Sequence, residues 1–394
     1  MIHMLEIKNT LKKNTMFIAL IVIMVLFQAL IVSFNKGSLF NPANISNIIS
    51  QNAYVVILAS GMLLCILTGG NIDLSVGSIV CLVGAVAGTM IVNMGMNMYV
   101  SIVVSLLIGI AIGALQGFWI AYVRIPPLIV TLAGMLLWRG LAMTILNGLT
   151  ISPFPEEYLK YFTSFLPGDE ADPQAIFTVT MTVALIVSGI FIVLQILDRI
   201  NKKRKGYVVV PFVFMVIKLV LVSAVILLVG WFLARHKGIP VVLILLAVIV
   251  LVYSYFTTKT VPGRHLYALG GNEKAAKLSG INTNRVLFFA YTNMGFLSAV
   301  AALVCVARFN SAFPAAGTNY ELDAIGSCFI GGASAYGGTG TVGGSIVGAI
   351  FMGVLNNGMS ILGIDANWQK SVKGIVLLAA VVFDLVFKKR AKSR

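Results

Sequence analysis

The sequence has very few charged side chains for its length. Only 10% of its 394 residues are charged, against about 25% in an average soluble domain. Just 13 residues are acidic, and the three histidines, His3, His236 and His265, all lie outside the apolar runs. This shortage of charge excludes a soluble globular fold.

The motifs that common hydrolytic enzymes require are also absent. The sequence contains no G-x-x-x-x-G-K-[ST] phosphate loop, no H-E-x-x-H zinc motif and no G-x-S-x-G nucleophile motif. Its four cysteines lie in apolar segments without metal-ligand spacing, which indicates small buried side chains. Gly338–Gly343 matches the dinucleotide pattern G-x-G-x-x-G, but an apolar helix follows it and no soluble strand–helix–strand unit surrounds it. We therefore expect no catalytic residues, and no cofactor or metal bound by this chain.

Long apolar runs make up most of the chain. Hydrophobic residues account for 59% of it, and a membrane-spanning helix needs about 20 mostly apolar residues. The prediction is an all-α polytopic membrane protein with about twelve transmembrane helices and both termini cytoplasmic. The predicted spans are 16–34, 51–68, 76–94, 99–123, 126–146, 175–197, 207–233, 239–256, 287–306, 342–362, 367–387 and a weaker, glycine-broken run at 322–335.

The few charged residues are distributed unevenly among the segments that join the apolar runs. Basic residues outnumber acidic ones in the N-terminal segment, in 198–206, in 257–286 and in the tail 388–394, whereas 147–174 has five acids and one lysine. The positive-inside rule places the basic segments in the cytoplasm and 147–174 outside. The short loop "ARHKG" is basic on the predicted outside and does not follow the rule. Anionic lipids suit this charge pattern, whereas nucleic acid does not, because no aromatic platform accompanies the basic clusters.

One polar interruption, "LTGGNIDLSVGSIV" at 67–80, breaks two apolar runs. Gly69 and Gly70 are suited to end one helix, since glycine adopts left-handed conformations without steric cost. Asp73 is placed to cap the next helix by accepting from the N–H groups of Ser75 and Val76. Two compatible interpretations remain: a structural cap, or a cap whose Asp73 and Ser75 also face a hydrated transport path.

Arg139 and Lys218 are cations inside predicted spans, where a charge is costly unless it is paired or hydrated. Arg139 is expected to face protein or water, either in a structural pairing or along a substrate path. Lys218 has no partner that the sequence identifies. Glycines four residues apart, such as Gly109 and Gly113, predict close helix packing.

The longest polar segment that does not span is 257–286. A short helix is predicted over Asn272–Leu278, with Asn272 as its cap and Glu273 in its first turn. The small side chains of Ala275 and Ala276 are expected to project from this helix toward another protein surface. An ordinary basic loop is the alternative.

Four motifs then identify a resemblance. "GGNIDLSVGS", "PPLIVTLAGMLLWRGL", "GRHLYALGGNEKAAKLSGI" and "ELDAIGSCFIGGASAYGGTGTVGGSIVGAI" occur in order along nearly the whole chain. Together they resemble the membrane permease subunit of monosaccharide ABC importers, the ribose, xylose, galactose and multiple-sugar permeases. The length is similar to the xylose and multiple-sugar branch, because 198–256 contains a helix pair that ribose-type permeases lack, added to a core of about ten helices.

The resemblance implies an organisation and a set of partners. It implies one transmembrane permease domain over 1–394, working as a homodimer in the bacterial cytoplasmic membrane. A partner ATPase with two fused nucleotide-binding domains would use ATP, and an extracytoplasmic sugar-binding protein would deliver the substrate. The loop 257–286 is then the ATPase-coupling loop, with Gly263, Arg264, Gly270, Gly271, Asn272, Glu273, Ala275 and Ala276 at the contact. Gly69, Gly70, Asp73, Ser75 and Arg139 fall in motifs near the pathway.

The predicted function is import of a monosaccharide by alternating access. A branched-chain amino-acid ABC permease is the alternative within transport, and an intramembrane enzyme is the alternative from another class. Missing intramembrane catalytic acids disfavour the enzyme.

Overall fold

The computed structural model describes residues 15–168, 171–207, 209 and 211–392, with backbone alone for Thr15 and 383–392. The basic N-terminal segment and the side chains of the basic tail therefore lie outside the described residues. Apart from two short strands and one π-helical turn, the regular structure is α-helical. The helices before the first strand are α1 (Thr15–Ser33), α2 (Pro42–Gln51), α3 (Ala53–Leu67), α4 (Val76–Gly88, continued by the π-helical turn Thr89–Asn93), α5 (Met98–Ala121), α6 (Pro127–Leu146) and α7 (Glu156–Thr163).

The second half of the chain is also mainly α-helical. Strand β1 (Phe165–Leu166) is followed by α8 (Pro173–Arg204) and α9 (Phe212–Ala234), and strand β2 (Ile239–Pro240) by the remaining helices. These are α10 (Val241–Lys259), α11 (Val261–Gly271), α12 (Glu273–Leu278), α13 (Thr283–Phe309), α14 (Tyr320–Ile330), α15 (Val342–Leu362) and α16 (Ala366–Lys392).

Among the described residues, nine helices are long and apolar enough to cross a membrane, or ten crossings if the pair α2 and α3, bent by 41°, counts as one. The nine are α1, α4 with its π-helical turn, α5, α6, α8, α9, α10, α13 and α15. The all-helical membrane fold is confirmed. Within the weaker predicted run 322–335 the structure has the 11-residue helix α14, about 16 Å long at 1.5 Å per residue. That is only half of the hydrocarbon thickness.

Helix α3 forms the centre of the packing, and all 15 of its residues are buried. Helices α13 and α5 cross closely beside it, where a Cβ on Gly109 would lie 2.6 Å from the carbonyl oxygen of Gly295. The predicted close packing at Gly109 and Gly113 is thus confirmed. Helix α10 contacts α3, α7, α11 and α15, whereas α8 and α9 pack mainly on each other. Helices α8 and α9, which we call the peripheral pair, thus lie at the edge of the packing and α10 belongs to the core, while the extra helix pair within 198–256 stays a prediction.

The loops gather at two ends of the molecule. At one end β1 pairs antiparallel with β2, and Ile151 pairs with Ala312, so the acidic segment 147–174 and the basic "ARHKG" loop lie together. Helix α10 runs from this end to α11, and its 19 residues span about 28 Å. At the far end α11 meets the loop 331–341, and Met16, in the first turn of α1, lies close to Gly332.

Candidate functional site

Two helix breaks lie inside the packed helices. The first, 68–75, separates α3 from α4, and the second, 310–319, separates α13 from α14. They meet where Gly77, in the first turn of α4, touches the backbone of Gly317, and a Cβ on either glycine would overlap the other's carbonyl oxygen. This crossing explains why both breaks are tolerated, since non-helical backbone in a membrane must be covered by protein or line a polar cavity.

Gly69 and Gly70 end α3 as the sequence predicts. Their φ angles are +129° and +76°, a region that L-residues rarely adopt. A Cβ on Gly70 would overlap the carbonyl oxygen of Ala335. The chain can therefore turn back toward α4 at this point only with glycine at position 70.

Asp73 lies in the first helix break and is fully buried, at 0% exposure. Its Oδ1 accepts from the Ser75 N–H at 2.8 Å and from the Ser75 hydroxyl at 2.6 Å. The prediction that Asp73 caps α4 is wrong, because the cap residue is Ser75, which has no side-chain capping bond, and Asp73 instead forms a turn that accepts from the N–H and hydroxyl of Ser75. Gln116 Nε2 donates to the Ser75 oxygen at 2.9 Å. The described residues bury both Asp73 and Ser75. This conformation therefore fits the structural interpretation, and in it neither side chain faces a hydrated transport path.

Arg139 holds the second break. Its Nη1 donates to the carbonyl oxygens of Pro314 at 3.1 Å and Ala316 at 2.6 Å. The same helix, α6, packs Gly134 against Ser75 and Gln116 at the first break. Of the two interpretations of Arg139, structural pairing is the one that the contacts support. Helix α6 thereby links the two breaks.

A buried charged group that the sequence analysis missed lies beside the second break. Asp323 of α14 is buried and accepts from the Tyr54 hydroxyl at 2.6 Å, while Lys373 Nζ of α16 lies 2.9 Å from its Oδ1. The ion pair joins α14 to α16 and to the central helix α3. A charge of each sign in the two apolar runs 322–335 and 367–387 was the available signal.

Three glycine turns meet at the end of α3 that faces the loop 257–286. Gly338 N–H donates to the Leu67 carbonyl at 3.0 Å, Gly337 packs on Gly69, and Gly270 packs on both Leu67 and Gly338. We call the contact of Gly69, Gly70, Gly270, Gly337 and Gly338 the glycine junction. Through it the predicted coupling loop touches the first helix break directly.

The predicted coupling loop contains one more helix than the sequence indicated. Helix α11 is capped by Thr260, whose hydroxyl accepts from the Gly263 N–H at 3.1 Å. Gly263 is buried against the Phe256 carbonyl, Arg264 is exposed, and a Cβ on Gly271 would meet nothing within 4 Å. Tyr267 donates to the Gly340 carbonyl at 3.0 Å, and burial raises the pKa of its phenol. The donor hydroxyl therefore stays protonated at neutral pH.

The predicted short helix is confirmed as α12. Asn272 caps it by accepting from the Ala275 N–H at 3.0 Å, and Glu273 pairs with Arg124 at 2.7 Å. Ala275 is exposed, but Ala276 is only 5% exposed, so the expectation that both alanines project outward is wrong for Ala276. Leu278, which the sequence analysis passed over, is 90% exposed at the helix end.

All four cysteines are buried and unpaired in disulfides, as their apolar surroundings predicted. Within the described ranges no group of three or more His, Cys, Asp or Glu side chains could hold a metal ion.

The chain is similar to permease proteins along nearly its whole length. A family model described as "Branched-chain amino acid transport system / permease component" matches residues 44–381. The xylose transport system permease protein XylH of Escherichia coli is 36% identical over 376 residues, which cover 95% of this chain and 92% of that protein. XylH of Haemophilus influenzae is 35% identical over 392 residues, covering 98% of this chain and 100% of that protein.

The ribose import permease protein RbsC of Escherichia coli is 35% identical over 378 residues, with 96% of this chain and 95% of that protein covered. No solved structure matches the chain. The similarity includes both helix breaks, the glycine junction and the loop 257–286, all of which lie within 44–381.

Proposed function

The chain belongs to the family of branched-chain amino acid transport system permease components, and on that premise we propose that it is the membrane subunit of a monosaccharide ABC importer. One observation carries the choice of substrate class: relatives similar over more than nine-tenths of the chain are named for xylose and ribose. The four motifs with which the sequence resembles sugar permeases support the same class. The chain is a multi-pass membrane protein, and we place it in the bacterial cytoplasmic membrane.

Twelve crossings fit the helices best. The nine single spans and the bent pair α2–α3 are joined by α16 and by α14, which the non-helical segment 310–319 extends to the opposite end of the molecule. An even number puts both termini on one side, and the excess of basic residues puts that side in the cytoplasm.

The coupling loop 257–286 is the segment through which the ATPase would transfer energy to the permease. The sequence has no ATP-binding loop, and the resemblance to monosaccharide ABC permeases implies that a partner ATPase with two fused nucleotide-binding domains supplies the energy. Helix α12 is suited to meet it, since Ala275 and the apolar Leu278 are exposed at the basic end. The ion pair of Glu273 with Arg124 fixes α12 to the loop before α6.

The glycine junction gives a route from this contact to the membrane interior. When α12 shifts, α11 moves with it, and Gly270 presses on the Leu67 carbonyl and on Gly338. Both helix breaks then change position relative to each other at the Gly77–Gly317 crossing. In this mechanism a sugar delivered by an extracytoplasmic binding protein passes between two copies of the chain. Coupling requires that the two states make different contacts with the ATPase.

The test is uptake by the bacterium that carries the gene. The gene is deleted and restored on a plasmid, and uptake of radiolabelled xylose, ribose, galactose and leucine is measured in each strain. We expect the deletion to abolish uptake of at least one monosaccharide and the plasmid to restore it, with leucine uptake unchanged.

Branched-chain amino acid transport is the second candidate, because the matching family model carries that description. Loss of leucine uptake with all three sugars unaffected would establish it and overturn the proposal. The motif set and the sugar-permease relatives favour the monosaccharide.

A further inference from the structure

A cavity of about 660 Å³ lies between the last turns of α8 and the first turns of α9. Three cations and one carboxylate line it, namely Arg199, Lys202, Lys218 and Asp198, so these side chains carry an excess of two positive charges. The cavity is on the peripheral helix pair, away from both helix breaks and from the glycine junction. Nothing in the proposed transport mechanism uses it.

The charge of Lys218 is not compensated by an ion pair among the residues that line the cavity. Lys202 pairs with Asp198 at 2.6 Å, which accounts for the single carboxylate. Lys218 Nζ donates to Gln195 Oε1 at 3.0 Å, and this neutral amide does not compensate the lysine's charge. A cation in an apolar helix is costly unless it meets a counter-charge or water, so the site favours an anion from outside the chain.

The position of the cavity identifies the source of that anion. Lys218 lies six residues after the start of α9 at Phe212, about 9 Å along the helix axis. This is the end that carries the coupling loop, because α8 begins beside β1 and α9 ends beside β2, so the turn that joins them lies at the opposite end from the two strands. The buried residues of α9, Gly230, Leu233 and Ala234, are all at its opposite end, so its first turns face the bilayer.

We propose that this cavity binds the phosphate group of an anionic glycerophospholipid from the cytoplasmic leaflet. Lys218 and Lys202 supply charged N–H donors to the phosphate oxygens, and basic pockets between membrane helices at this depth suit such headgroups. The apolar side chains of Phe214 and Met215, which also line the cavity, give the first carbons of the acyl chains a surface to contact. A soluble anion would gain nothing from that surface.

Native mass spectrometry of the purified full chain in detergent tests the site. Phosphatidylglycerol and phosphatidylcholine with identical acyl chains are titrated, and bound lipid is counted for the natural chain and for Lys218→Gln and Lys202→Gln. We expect phosphatidylglycerol to bind preferentially, and each variant to bind it about fivefold more weakly, the effect of one lost cation near anionic lipid. Lys237→Gln, an exposed lysine at the opposite end, is the matched control and should bind as the natural chain does.

Lys218→Arg separates charge from folding, since arginine keeps the charge and binds phosphate. It should retain binding while Lys218→Gln loses it. Equal affinity for phosphatidylcholine, or undiminished binding in Lys218→Gln and Lys202→Gln, would overturn the site. Displacement of the lipid by an equimolar amount of inorganic phosphate would assign the cavity to a soluble anion and overturn the lipid assignment.

Discussion

At the scale of single residues, two buried carboxylates use different means of stabilisation. Asp323 has a cation, Lys373, and a hydroxyl donor, Tyr54. Asp73 has two donors, both on Ser75, and its Oδ2 has no partner in the described structure. A buried carboxylate without a counter-charge must rely on hydrogen bonds and on the adjacent helix N-terminus. The two acids should therefore respond differently to substitution.

Asp73→Asn should be milder than Asp73→Leu. The amide oxygen can still accept from the Ser75 N–H and hydroxyl, whereas leucine leaves the buried N–H unsatisfied at a cost of about 1–3 kcal/mol and leaves the hydroxyl only Gln116 Oε1, at 3.2 Å. Thermal unfolding in detergent and sugar uptake measure the difference. Asp365 is the control, since its Oδ1 accepts from the Asn367 N–H in an exposed position. Asp365→Leu should cost little, and equal behaviour of Asp73→Leu and the natural chain would show that the bonds from Ser75 to Asp73 do not stabilise the break.

Removing one partner of the Asp323–Lys373 pair should destabilise the chain strongly. Lys373→Met leaves an uncompensated buried charge, and we expect a loss of about 3–5 kcal/mol. The double variant Lys373→Met/Asp323→Asn should lose less than the sum of the single losses, because no unpaired charge remains. Unfolding in detergent gives the three values. The exposed Lys370→Met is the matched control, and strictly additive losses would show that the pair does not interact energetically.

At the scale of elements, short helices and turns carry the proposed mechanism. Helix α12 has six residues, too few to be stable alone, so its cap at Asn272 and its tie to Arg124 hold it in place. Helix α14 has eleven residues and begins inside the molecule. Its start is fixed by the Gly77–Gly317 crossing and by the carbonyl contacts of Arg139. Tertiary contacts, rather than their own length, hold α12 and α14 in place. A change in those contacts can therefore shift both helices between two states.

Leu278→Glu should uncouple the ATPase without unfolding the permease. Leu278 is so exposed that its substitution should change the stability of the isolated chain by less than about 0.5 kcal/mol. Loss of an apolar anchor in the docking contact should weaken ATPase recruitment by about 2 kcal/mol or more, roughly thirtyfold. Recruitment, sugar-stimulated ATP hydrolysis and uptake are measured in proteoliposomes with both partners. Ala275→Trp should have the same effect.

Two further variants separate docking from folding. Leu149→Glu changes a leucine that is 67% exposed at the opposite end, and it should leave recruitment unchanged. Ala276→Trp should destabilise the chain itself, because Ala276 packs inside it. Recruitment and transport at natural levels in Leu278→Glu and Ala275→Trp would show that α12 is not the ATPase contact.

At the scale of the whole molecule, charge divides between the two ends. The loop 257–286 at one end is basic, and 147–174 at the other is acidic. The "ARHKG" loop, basic yet predicted outside, lies beside the acidic segment because β1 pairs with β2. The contacts thus group the loops into two sets, and the positive-inside rule assigns the compartments.

Labelling of single introduced cysteines tests that assignment. Lys277→Cys should react with a membrane-impermeant maleimide only when the cytoplasmic side is opened. Glu157→Cys and Lys237→Cys should both react from outside, because their loops share one end. The four natural cysteines are buried, so background labelling should be small. Reaction of Lys277→Cys from outside would invert the proposed topology.

By itself, the sequence determined what local composition dictates. Apolar length predicted the long spans, since a membrane accepts only segments that satisfy their own backbone hydrogen bonds. Residue type alone located the break at Gly69–Asp73 and the cap at Asn272, because glycine conformations and Asx caps act over only a few residues. The order of four motifs was enough to indicate the family.

Only the tertiary structure decided which distant residues meet. The sequence could not show that Gly270 packs on Leu67, that Lys373 pairs with Asp323, or that Ala276 turns inward while Leu278 turns outward. Each contact joins residues far apart in the chain, or depends on which side of a short helix faces the body of the protein. The half-length helix α14 was likewise predicted as a weak span, because composition reports how apolar a segment is and not where its neighbours make a break tolerable. Helix packing fixes those relations, since a buried polar group or a non-helical turn is stable only where a partner from another helix satisfies it.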